Sequence, residues 1–282
     1  MIQKLQIVFN NRELGSIFWI VLIVLLLLLK KSIRESILRV FFAFIKRKII
    51  TMILFSLIYS TSIVYILSQV YLWDPSMIKD SILWYILTAF AILFNLNNAG
   101  ENKDYFKGII RDNIRLVIVL EFIANIHSFN LWIEMILIPI IISLSILLAV
   151  VETKTEFKII EKPIWTILTT FGLFLLILSI IDIIRSINQY ANYTTLKTFL
   201  LPIILTVTFI PCAYLIALFM NYELLFVRID ILLNDKKLIR YARRRTLLKC
   251  GFNLRKVNRL TPLVIKEFHA NIKKEDIKIV LN

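Results

Sequence analysis

The feature that most constrains this chain is a set of unbroken apolar runs, most of them long enough to cross a lipid bilayer as helix. A hydrocarbon core ~30 Å thick takes ~20 residues of helix. Lipid offers no partners to backbone N–H and C=O groups, so a crossing segment is either a helix or a strand of a closed barrel. The runs here are continuous rather than alternating in polarity, which excludes a barrel. Residues 14–29, 49–72, 82–96, 114–128, 131–151, 164–184 and 198–220 are expected to be spans. The chain therefore reads as all-α, a polytopic bundle of about seven transmembrane helices over residues 1–220. Composition agrees: 59% of the residues are hydrophobic, against roughly 45–50% in a soluble domain.

The cations set the expected orientation. Lys30, Lys31, Arg34, Arg39, Lys46, Arg47 and Lys48 follow the first run, against a lone Glu35. The excess of Lys and Arg on the cytoplasmic side puts this cluster inside and the N-terminus outside. No small-residue cleavage site follows the first run, so it reads as a span rather than a signal peptide. Within 32–48, Ile33, Ile37, Phe41, Phe44 and Ile45 share one helical face and Ser32, Ser36, Arg39 and Lys46 the other. That amphipathic pattern predicts either a helix lying in the cytoplasmic interface or an extension of a neighbouring span. Trp73-Asp74-Pro75 marks an outer turn, His127–Asn130 a second outer turn, and Pro163 the first turn of the sixth span. Alternating in and out gives N-out, C-in.

Residues 221–282 differ in composition and are expected to form a basic cytosolic region. They hold fifteen Lys and Arg against six Asp and Glu, a net charge of +9 within the chain's +15. Residues 223–245 have helical apolar spacing and could continue the last span. Thr261-Pro262 reads as an N-cap with Pro at the first helical position. Arg243-Arg244-Arg245 and Lys249 make the densest cationic stretch, suited to a polyanion such as a phospholipid headgroup, a nucleotide or a nucleic acid. The ordinary cytoplasmic excess of cations behind a last span accounts for it equally well.

Ionisable residues inside apolar runs are expensive and mark partners, water-filled paths or bundle interiors. Glu121 and Glu134 stand at similar distances on either side of the turn near residue 128, and Asn125 shares a face with Glu121. They could line a cation path, or they could snorkel and accept hydrogen bonds from Asn125, Trp132 or neighbouring hydroxyls. Asp182 and Arg185 read as a local pair at the end of the sixth span. Pro211 is the best candidate for a hinge, because it interrupts the middle of the last span. Two cysteines, Cys212 and Cys250, and two histidines make no disulfide framework or zinc spacing. No Gly-rich phosphate loop, HExxH, GxSxG or kinase signature occurs, so neither a metal, a cofactor nor an enzyme is expected.

Three stretches carry a resemblance: Asn10-Asn11-Arg12-Glu13 ahead of Trp19; Leu120-Glu121-Phe122 through Phe129, Trp132, Glu134 and Pro139; and Asn221-Tyr222-Glu223 through Phe226 and Arg228. Together they resemble uncharacterised polytopic membrane proteins of bacterial anti-phage defence loci, including Hailong-type channel effectors. The resemblance implies a homo-oligomeric channel in the bacterial inner (cytoplasmic) membrane, with a nucleotidyltransferase partner that controls it through a nucleotide or DNA-oligomer activator. It singles out Glu121, Glu134 and Glu223. Two other readings stand beside a ligand-gated channel: a secondary transporter, disfavoured by the lack of an internal repeat, and a non-conducting membrane anchor or sensor.

Overall fold

The computed structural model describes residues 9–100, 104–112, 128–153, 157–185, 193–269 and 272–280. Every regular element among them is helical. They include, in order, α1 (Asn11–Leu28), α2 (Lys31–Phe44), α3 (Arg47–Gln69), a third span built from a 3-10 turn (Pro75–Met77), α4 (Ile78–Trp84), a π segment (Tyr85–Ala89) and α5 (Phe90–Asn95), then a 3-10 stretch (Leu96–Gly100). There follow α6 (Leu131–Thr153), α7 (Lys158–Arg185), α8 (Tyr193–Leu232), α9 (Lys236–Cys250), α10 (Leu254–Glu267) and α11 (Lys274–Val280). Six stretches are long and apolar enough to cross a membrane: Asn11–Leu28, Arg47–Gln69, Pro75–Asn95, Leu131–Thr153, Lys158–Asp182 and Tyr193–Leu232. The expected span at 114–128 lies, but for its last residue, outside the described residues, as do Glu121 and Asn125. A multi-pass membrane protein is the result.

Local chemistry explains the boundaries. Asn10 and Glu13 form a reciprocal capping box that starts α1, with Glu13 N donating to Asn10 Oδ1 (2.8 Å) and Asn10 N to Glu13 Oε2 (2.9 Å). The third span begins seven residues earlier than apolar content alone suggested. Asp74 caps the turn by accepting from Ser76 N, and Pro75 supplies the first position, where its missing donor is harmless. Tyr71 ends the preceding helix in the left-handed region at φ 57°. Helix α2 buries none of its residues, and Phe41 and Phe42 are 58% and 63% exposed.

The chain packs as two compact units. One gathers residues 1–51 and 114–200, the other 52–113 and 201–282. The expected division at residue 220 therefore does not follow the packing, because the basic region belongs to the same unit as the second and third spans. The core of that second unit is one continuous cluster, running from Ile63, Trp84 and Leu96 through Phe209, Ile216 and Leu225 to Val257, Val264 and Ile277.

Two expectations in the C-terminal region need correction. The last span does not continue to Arg245. Helix α8 ends at Leu232, and Asp235 caps a new helix by accepting from Lys237 N (2.8 Å). Thr261-Pro262 is not a helix start but lies inside α10, whose N-cap is Asn253. The apolar positions Leu254, Val257, Leu260 and Val264 are all buried on one face, and that burial outweighs the single hydrogen bond lost at Pro262.

Candidate functional site

In the first unit, α1 and α6 lie parallel. Asn11 Nδ2 donates to the Phe129 carbonyl (3.0 Å), Arg12 meets Glu134, and a Cβ on Gly15 would stand 2.7 Å from Ile138 Cδ1. The missing side chain at Gly15 is what lets the two backbones approach. Glu134 is 2% exposed, and its carboxylate takes a fork from Arg12: Nε stands 3.1 Å and 3.2 Å from the two oxygens, with Nη2 3.1 Å from Oε1. Phe129 N adds a third donor at 3.0 Å. A buried carboxylate is tolerated when it is paired and its lone pairs are met, and both conditions hold here. A cavity of ≈ 230 Å³ borders the pair, lined by Ser16, Ile138, Phe171 and Leu175 among others.

One turn further on, Trp19 Nε1 donates to the Met135 carbonyl (2.8 Å). Met135 is four residues before Pro139, which lies inside α6 and has no N–H to return to that carbonyl. The indole thus supplies the hydrogen bond that proline withholds. Neither Arg12 as the partner of Glu134 nor Trp19 as the partner of Met135 was foreseen from sequence. The signal for the second was present, since a proline inside an apolar span always orphans the carbonyl four residues earlier.

In the second unit the spans are joined by polar contacts at their core. Trp84 Nε1 donates to Thr206 Oγ1 (2.9 Å), which donates to the Pro202 carbonyl (2.7 Å). Tyr85 and Ser56 share a hydrogen bond of 2.7 Å, and Tyr59 donates to the Thr208 carbonyl (3.1 Å). Ser56 and Thr206 are therefore inter-helix contacts. Pro211 lies inside α8, which remains helical on both sides of it.

Helix α8 has 40 residues, about 60 Å of helix and twice the thickness of a hydrocarbon core. Its last third carries the basic region. Helix α9 folds back along it, so that Tyr222 donates to the Gly251 carbonyl (2.7 Å) and Tyr214 to the Phe252 carbonyl (2.7 Å). Leu254 N in turn donates to Tyr214 Oη (3.2 Å). Gly100, at the end of the third span, closes on Asn258 of α10: a Cβ there would stand 2.9 Å from Asn258 Nδ2.

The arginine triplet does not act as one cluster, because consecutive helical residues diverge by about 100°. Arg243 pairs with Asp230 and lies 5.3 Å over the Phe226 ring, both on α8. Arg244 is exposed, while Arg245 and Lys249 are half-buried. The exposed cationic face of α9 instead runs Lys236, Lys237, Arg240 and Arg244. The Cys250 thiol is buried, and burial pushes its pKa up against the opposing effects of Lys249 and Lys256.

The three stretches that carry the resemblance occupy packing junctions. The described parts of the first two meet in the α1–α6 contact, and the third is the face of α8 that receives α9. No family model matches the chain, and no curated protein or solved structure matches it.

Proposed function

We propose that this chain is a ligand-gated ion channel or membrane-permeabilising effector of a bacterial anti-phage defence system, homo-oligomeric in the cytoplasmic membrane. In this reading a nucleotide or DNA oligomer, made by a partner nucleotidyltransferase, binds the basic region and opens the channel. One observation carries the reading. The last candidate span and the lever beneath the basic helices belong to one continuous helix, α8. A ligand that favours one arrangement of α9 and α10 therefore biases the span directly, as gating by differential binding requires. Lys237, Arg240 and Arg244 present the exposed charges for that ligand.

The seven-span, N-out and C-in topology belongs to the same proposal. Parallel packing of α1 and α6 implies an even number of crossings between their starts. Three candidate spans stand between those points, counting α1 itself, which supports one further crossing between Gly100 and Leu131.

Purified protein in liposomes tests the function. Addition of short DNA oligomers should release trapped ions, and Arg240→Gln with Arg244→Gln should raise the oligomer concentration needed about tenfold or more, in line with losing two charge-assisted contacts. A vesicle that stays tight with oligomer bound would sink the channel. Counterflow of a defined solute would point to a transporter instead.

A further inference from the structure

The turn between α9 and α10 has a surface that neither packing nor the gating reading explains. Leu248 and Phe252 are 77% and 79% exposed, among the most exposed large apolar side chains of the basic region. They stand at a defined height. Tyr214 and Tyr222 of α8 hold the backbone of residues 251–254 through three hydrogen bonds. Those tyrosines lie two turns apart, about 12 Å along the helix, on either side of the place where the apolar run of α8 gives way to Asn221-Tyr222-Glu223. A second marker agrees. Ala99, just past the end of the third span, lines the same ≈ 500 Å³ cavity as Tyr214, Phe252 and Arg255. The turn is thus fixed at the height where the apolar runs of two candidate spans end.

We propose that this turn is a membrane-contact site for anionic phospholipid. Leu248 and Phe252 enter the boundary between headgroups and acyl chains, and the exposed side chains of Arg255 and Lys256 meet phosphate and other anionic headgroup oxygens. The chemistry is that of an interfacial anchor, an apolar insertion flanked by cations. Soluble surfaces seldom leave a Phe and a Leu this bare side by side. The proposal needs α8 to cross a bilayer and does not depend on a channel or on any nucleotide.

Site-directed nitroxide labelling of the full chain in nanodiscs tests it, with Leu248→Cys and Phe252→Cys as reporters and Lys237→Cys as the aqueous reference. In discs containing phosphatidylglycerol, both reporters should be accessible to oxygen and shielded from a water-soluble nickel complex, at a depth of about 5–10 Å below the phosphates. Position 237 should show the reverse. Wild-type protein with its native Phe252 should retain fluorescent phosphatidylglycerol from excess phosphatidylcholine several-fold better than Arg255→Gln/Lys256→Gln. Reporters as aqueous as position 237 would overturn the insertion. Reporters shielded from both reagents would do so too, since a protein partner would then cover the turn. Equal lipid retention by the two proteins would overturn the headgroup contact.

Discussion

Arg12 and Glu134 form a pair whose members cannot be exchanged one at a time. With Arg12→Met, the Glu134 carboxylate keeps only the Phe129 N–H and stands buried without a counter-charge. Breaking a buried pair from one side costs about 3–5 kcal/mol, whereas replacing both partners with apolar residues is often neutral. Arg12→Met should therefore lower the unfolding midpoint in detergent strongly, and Arg12→Met/Glu134→Met should recover most of the loss. Equal losses in the single and double variants would mean that the pair contributes little. The same pair qualifies the expectation of a cation path at Glu134. In the single chain this carboxylate is already neutralised by an arginine, so any ion attraction there would have to compete with a three-donor cage.

At the scale of elements, the α1–α6 contact is a dovetail of three fits: Gly15 under Ile138, Arg12 on Glu134, and Trp19 on the carbonyl that Pro139 orphans. Trp19→Phe keeps the ring but removes the donor, leaving a carbonyl unpaired in an apolar setting at a cost of about 1–3 kcal/mol. Pro139→Ala restores an N–H four residues after Met135. In that background Trp19→Phe should cost much less, and the non-additivity of the two changes, read from thermal unfolding of the four proteins, measures the coupling. Additive effects would refute the role given to the indole. These elements also show what could be read from the chain. Six candidate spans followed from unbroken apolar runs, and the amphipathic stretch expected at 32–48 overlaps α2, which ends at Phe44. Pairings such as Arg12 with Glu134, 122 residues apart, leave no trace in local pattern. The break at Leu233–Asp235 was missed because the apolar spacing of α8 continues smoothly into α9. Thr261-Pro262 misled because a cap signal is local, while the burial of four apolar residues along α10 is not.

For the whole molecule, the open quantity is the number of crossings, and it has a clean readout. Contacts order residues 11, 12 and 15 against 129, 134 and 138, so Asn10 and Asn130 stand at the same end of the first unit. If each candidate span crosses once, cysteines introduced at those two positions must face the same compartment, and Asp74 must face it as well. A cysteine at Lys237 must face the other. Background from native thiols should be low: Cys212 and Cys250 are both buried, and burial pushes the Cys250 pKa up, which disfavours the thiolate that attacks a maleimide. Cells treated with a membrane-impermeant maleimide should label positions 10, 74 and 130, and should label 237 only after permeabilisation. Labelling of 10 and 130 from opposite sides would require an odd number of crossings between them. That outcome is incompatible with parallel α1 and α6, so it would remove both the proposal of a seventh span and the Arg12–Glu134 contact in one stroke.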